Sequence, residues 1–226
     1  GNNDSFAYGG GQNMYAYKPV GDTWKMLIWD IDFAFAAQPA NSDPFQGIGR
    51  SNGIDLGEAA YARRYWQILQ DLANGPLSGT ELSLLLDTKY SAMVANGRSI
   101  ENPATIKNYV SARRAYLLDL IATSVTASFA ITLNGGAGFS TSQNLLSLVG
   151  TAPLAVRTIT INGVAFPVTW TSTTRWTAQV ALDTGLNPLL VQGWDAAGNA
   201  VAGASATIAV TNTAPPELPQ DRLVIN

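Results

Sequence analysis

Residues 157 to 170 read "RTITINGVAFPVTW", an alternating stretch cut in two by Asn162-Gly163. A two-residue type I′ turn needs positive φ at both central positions, and Asn-Gly meets that demand at the least steric cost. The stretch therefore predicts a hairpin. Outward from it, "SFAITL" (128–133), "NLLSLVG" (144–150), "RWTAQVAL" (175–182) and "NPLLVQGWD" (187–195) repeat the period of two between turn signals. Short strands at such spacing predict an all-β module, a small sandwich. Trp170, Trp176 and Trp194 could form a sugar-stacking platform, but the simpler expectation is packing in the core or at its edge. Asp195 and Asn199 flank a tight turn and are read as turn formers, with weak Ca²⁺ binding as the other reading.

Upstream of this module the composition changes. Residues 1–124 carry 12 acidic and 10 basic residues, whereas 125–226 carry only 4 and 3 amid Thr, Val, Ala and Gly. The asymmetry predicts two domains, 1–124 and 125–212, followed by a Pro-rich linker or tail over 213–226, "TAPPELPQDRLVIN". Between about 57 and 123 the apolar spacing is helical. The first predicted helix sets Tyr61, Tyr65, Ile68, Leu69 and Leu72 on one side and Arg63, Arg64, Gln67 and Gln70 on the other, and ends at Asn74-Gly75-Pro76. Ser78 and Glu81 read as a capping box for a second helix bearing Leu82, Leu85, Leu86, Tyr90, Met93 and Val94, which Asn96-Gly97 terminates. A third helix starts from Asn102 as N-cap and Pro103 at its first position, with Ile106, Val110, Leu117, Leu120 and Ile121 as its apolar stripe.

The chain of 226 residues has a net charge of −3, 46% hydrophobic and 13% charged residues, and neither cysteine nor histidine. Thiol chemistry, Ser-His-Asp triads, Cys/His zinc sites and disulfides are excluded within it. No long basic patch marks a nucleic-acid protein, and no stretch approaches the ~20 apolar residues of a membrane span. The start at "GNNDSF", without a signal segment, reads as a fragment whose upstream part would carry any targeting signal.

The chemistry is therefore sought in residues 1–56. In "WKMLIWDIDFAF" (24–35), Asp30 and Asp32 interrupt an apolar run. In an extended chain, side chains at i and i+2 share a face and lie roughly 6.5 to 7 Å apart, so both carboxylates could reach one divalent cation. Alone, an Asp-x-Asp also suits turn chemistry. A carboxylate beside Trp29, Ile31 and Phe33 would be costly to desolvate without a cation or a positive partner. Two strands, "MYAYKPV" and "WKMLIWD", are expected to pair across a turn at Gly21-Asp22. The glycine-rich "YGGGQ" (8–12) lacks phosphate-loop spacing and reads as a loop.

The segment "NNDSFAYGGGQNMYAYKPVGDTWKMLIWDIDFAF" (2–35) resembles the CotH kinase family, through Asn2-Asn3-Asp4, "NMYAY" (13–17) and "WDID" (29–32). The stretches "YWQILQDLANGPLS", "LLLDTKYSAMVANG" and "IKNYVSARRAYLLDLI" look like that family's C-terminal lobe. The resemblance implies an α+β fold, in which the C-lobe of an atypical kinase-like fold, a β-hairpin plus helices, precedes an Ig-like sandwich. By the same resemblance Asp4 is the catalytic-loop acid and Asp30 a metal ligand. Asn13 is a second ligand, and Asp32 either joins the metal shell or caps the next turn. The intact protein would then use Mg²⁺ or Mn²⁺ and ATP to phosphorylate Ser or Thr of a partner protein, such as a surface or coat protein. The nucleotide-gripping lobe would lie upstream, leaving this fragment alone inactive.

"LDTGLNPLLVQGWDAAGNAVAG" (182–203) resembles the ending of bacterial Ig-like domains appended to secreted enzymes, which implies a secreted or cell-surface location. Two other readings stay open. One is a non-catalytic surface or adhesion protein with a degenerate kinase-like fold and an Ig-like module that binds protein or glycan. The other is a metal-dependent glycosyl or nucleotidyl transferase using the Asp-x-Asp.

Overall fold

The computed structural model describes residues 14–28, 38–45 and 56–215. The fold is α+β and divides into two compact units, Gly1–Ser124 and Val125–Asn226.

In the first unit, strands β1 (Met14–Tyr17) and β2 (Lys25–Ile28) pair antiparallel, with Tyr15 opposite Leu27 and Ala16 opposite Met26. Gly21 has a φ of 77° in the connecting turn. The turn is closed by Asp22 N–H donating to the Pro19 carbonyl at 3.2 Å. Tyr15, Tyr17, Trp24, Met26 and Leu27 are all more than half exposed.

Three helices follow: α1 (Ala59–Asn74), α2 (Thr80–Ala95) and α3 (Ala104–Ser124). Helix α3 begins as its sequence suggests, with the Asn102 side chain accepting from Ala104 N–H at 2.9 Å. The end of α2 is a Schellman arrangement: Arg98 N–H donates to the Met93 carbonyl, Gly97 N–H donates to that of Val94, and Gly97 has φ 73°. Its start departs from the expected capping box. Gly79, with φ 108°, precedes the helix and no side chain caps it, while Ser78 Oγ donates backwards to the Gly75 carbonyl at 2.7 Å. The helix starts one residue later than the box requires, so Glu81 falls at the second helical position and not the third.

Helix α1 is also turned relative to its sequence pattern. Its buried residues are Arg63, Gln67, Leu69 and Ala73, whereas Tyr61 is 65% exposed and Ile68 and Leu72 are about 40% exposed. Both Arg63 and Gln67 are engaged by other groups. Helix α3 contributes Val110, Leu117 and Ile121 to the interior, and Arg114 Nε donates to the Ala73 carbonyl at 2.8 Å, tying α3 to the end of α1. Helix α2 buries no residue. It is linked to α3 by Lys107 and Asp87, whose charged atoms lie 2.8 Å apart.

The second unit is a sandwich of two sheets. Its strands are β3 (Ala130–Ile131), β4 (Phe139–Thr141), β5 (Leu145–Thr151), β6 (Thr158–Ile161), β7 (Val164–Ala165), β8 (Thr169–Trp170), β9 (Arg175–Ala181), β10 (Gly185–Trp194) and β11 (Ala200–Asn212). One sheet has the order β4-β11-β10-β6-β7 and the other β3-β5-β9-β8. All pairs are antiparallel except β4 with β11, which run parallel from Phe139 beside Val210 to Thr141 beside Asn212.

Asn162 and Gly163 have φ of 51° and 80°, and β6 and β7 pair across them, so the predicted turn is formed. The Asn162 side chain does more than turn. It accepts from Leu190 N–H at 2.8 Å and donates to the Pro188 carbonyl at 3.1 Å, fastening the turn to β10.

The inner faces of both sheets meet in one core containing Leu148, Val156, Ile159, Trp176, Val191 and Val210. Trp176 is 1% exposed and faces Gly150 on β5, where any Cβ would stand 2.5 Å from the indole. Its indole N–H has no hydrogen-bond partner among the described residues. An unmade bond costs about 1 to 3 kcal/mol, against roughly 4 to 6 kcal/mol for burying a ring of that area, so the ring stays inside. Core packing is thus the correct reading for Trp176. Trp170 packs partly against the same core. Trp194 donates from Nε1 to Thr160 Oγ1 at 2.9 Å.

Asn212 is a polar exception in this interior, 2% exposed. It donates to Asn144 Oδ1 at 3.0 Å and to the Leu182 carbonyl at 3.4 Å, and accepts from Ala214 N–H at 2.9 Å.

Candidate functional site

The four candidate residues Asp4, Asn13, Asp30 and Asp32 lie outside the described residues, as do Trp29 and the "YGGGQ" loop. The structure describes the flanks of the acidic stretch. On its N-terminal side stands the β1–β2 hairpin. Asp22 accepts from Thr23 N–H at 2.6 Å and lies 3.2 Å from Lys25 Nζ. The Thr23 bond first, and Lys25 second, hold its carboxyl below the usual range. Lys18 Nζ sits 6.0 Å from the centre of the Trp24 ring, at the limit of a cation–π contact.

On its C-terminal side, residues 38–45 form a short turn-rich segment, in which Ser42 N–H donates to the Pro39 carbonyl at 3.0 Å and Phe45 N–H to Asp43 Oδ1 at 2.9 Å. Arg113 on α3 donates from Nη1 to the carbonyls of Ala40, at 3.0 Å, and Ser42. Tyr65 on α1 donates its hydroxyl to the Pro44 carbonyl at 2.6 Å. Phe45 packs against Tyr65 and Trp66, with ring centres 5.3 and 4.8 Å apart. Burial pushes the Tyr65 phenol above its ordinary pKa; nearby Arg113 opposes the shift and Asp43 adds to it. Sequence reasoning did not single out Arg113, and its carbonyl contacts have no sequence signature because any residue supplies a carbonyl.

Two cavities border α2. One of about 290 Å³ lies beside Ser78, Lys107 and Arg114, and one of about 500 Å³ beside Tyr90, Met93 and Ile106. In the sandwich, a groove of about 540 Å³ crosses Gly138, Asn162, Pro188, Leu190 and Thr207, and none of the described residues lining it is charged.

Among the described residues, no three acidic side chains stand together as a metal site would require. Asp195 behaves as a turn former. Its Oδ1 accepts from Ala197 and Asn199 N–H at 2.9 and 2.8 Å, and Asn199 Nδ2 donates to Oδ2 at 3.2 Å. Those bonds, the Asn199 backbone first, hold its carboxyl below the usual range. Among the described residues, no helix is long and apolar enough to cross a membrane.

No family model matches the chain, and no curated protein matches it. Among solved structures, one described as "Structures of Clostridium thermocellum CbhA fibronectin(III)-like modules" is similar over 40% of this chain and 96% of that chain, with 13% identity and a TM-score of 0.27.

Proposed function

We propose that the chain is a non-catalytic piece of a secreted or cell-surface protein, in which a kinase-like unit of degenerate type carries an Ig-like sandwich that binds or spaces a protein or glycan partner. The observation that carries this reading is the sandwich itself. Its core closes among residues 131–210, and the described residues that line its groove across Pro188, Leu190 and Thr207 are uncharged. Such a surface suits contact with a partner better than acid–base chemistry. Calorimetric titration of MgATP into the intact protein, beside a phosphate-transfer assay, tests the reading. Neither binding nor transfer is expected; transfer abolished by Asp4→Asn would overturn it.

A second reading, metal-dependent phosphate transfer to Ser or Thr, is favoured by the placement of Asp30 and Asp32 inside an apolar run. In it Asp30, with Asn13 and Asp32, would hold Mg²⁺ or Mn²⁺, which when bound neutralises charge on the ATP phosphates. Asp4 would orient the acceptor hydroxyl. Asp30→Asn would then lose metal-dependent nucleotide affinity, whereas Asp4→Asn would lose transfer and keep binding. Equal affinity in wild type and Asp30→Asn would remove the metal role.

A further inference from the structure

The segment 38–45 is held on the helices mainly through its main chain. A guanidinium on α3 takes the carbonyls of Ala40 and Ser42, and a phenol on α1 takes that of Pro44. A single side chain, Phe45, adds aromatic packing at the far end of the segment. The segment's own bonds, Ser42 to Pro39 and Phe45 to Asp43, are local, and two isolated turn bonds give little protection from exchange once the segment is undocked. Local shape and docking thus rest on separate sets of contacts. Such a piece can leave as one unit while the helices stay folded, because among the described residues no backbone bond joins it to a helix.

We propose that residues 38–45 are a strap that opens and closes on the α1–α3 face as one unit, with Arg113 as its latch. Arg113 holds two of the three carbonyls, and its half-buried guanidinium also lies 5.4 Å from the Tyr116 ring on its own helix, which fixes the fork toward the strap. Opening withdraws Phe45 from Tyr65 and Trp66 and takes the Ala40 and Ser42 carbonyls away from Arg113. The inference is independent of whether the protein transfers phosphate.

Amide hydrogen exchange on the full chain tests this, with Phe45 N–H and Ser42 N–H as reporters of the strap and the α3 amides from Val110 to Ile121 as reporters of the helices. In the wild type the strap amides should exchange faster than the α3 amides and with a smaller dependence on denaturant. Arg113→Met should speed strap exchange at least tenfold and leave α3 exchange within about twofold. Tyr65→Phe, which keeps the ring against Phe45 and removes one bond, should give a smaller change of the same kind. Strap and helix amides exchanging together in the wild type would overturn the proposal, whatever the variants do. So would unchanged strap exchange in Arg113→Met. If Arg113→Met does not fold, the wild-type denaturant dependence and Tyr65→Phe still decide the matter.

Discussion

Strand β5 and helix α2 carry comparable numbers of aliphatic residues and end with opposite burial. In β5, Leu146 and Leu148 point inward at 6% and 0% exposure, while Leu145 faces outward at 56%. In α2, Leu84, Leu85, Met93 and Val94 are between 47% and 69% exposed and none of its residues is buried. The difference is one of partners. The β5 face meets a second sheet drawn from the same hundred residues, so its alternation finds a complement nearby in sequence. An apolar helix has no such neighbour built into its own pattern. Apolar periodicity states that a face can be buried; only a facing surface buries it.

The contrast is broken most directly through the sandwich core. Residues 125–215 expressed by themselves should unfold cooperatively in scanning calorimetry, and Trp176→Ala in that segment should lower its stability by about 3 to 5 kcal/mol. A broad, non-cooperative transition of the parent segment would mean that the sandwich is not self-sufficient. Asn212→Ala is the next largest. It removes three hydrogen bonds at a buried position and leaves Ala214 N–H and the Leu182 carbonyl unmatched, which should cost about 1 to 3 kcal/mol in urea denaturation.

In the helical unit the expected effects are smaller. The Tyr65 phenol has its pKa raised by burial from a reference of 10.0. The folded state therefore holds this proton more tightly than the unfolded one. Its contribution is complete below about pH 10 and is lost as pH rises through the raised value. Stability of the helical unit, followed by circular dichroism of the full chain, should fall with pH above 10, and Tyr65→Phe should flatten that dependence. Smallest of all, Leu84→Ser on α2 should change stability by no more than about 0.5 kcal/mol, since Leu84 is 69% exposed. A cost above about 2 kcal/mol would show that α2 is covered in solution and would sharpen the comparison into one between near and distant partners.

Of the candidate site, the sequence made the motif legible but not its geometry. Asp30 and Asp32 stand out because carboxylates are rare inside an apolar run, and Asp4 and Asn13 only through a family resemblance. All four fall outside the described residues. Of the groups that grip the neighbouring segment, Arg113 carried no signal, and Tyr65 showed only as one of an apolar stripe, with nothing to mark Pro44 as the partner of its hydroxyl. A guanidinium that binds main-chain carbonyls 71 and 73 residues away leaves no mark on its own sequence neighbourhood.

What the sequence determined by itself was local and short-ranged. The Asn162-Gly163 turn, the Asn102 cap and the Asn96-Gly97 stop follow from φ preferences and side-chain bonds spanning two to five residues, and each is formed where the residues ask for it. Tertiary structure alone decided the rest. It buried Arg63 and Gln67 and left Tyr61 outside on α1, laid β4 parallel to the end of β11, and closed Asn212 onto Asn144 across 68 residues. Those outcomes depend on which surfaces arrive opposite one another. A hydrogen bond or a buried face is settled by its distant partner, and no local pattern names that partner in advance.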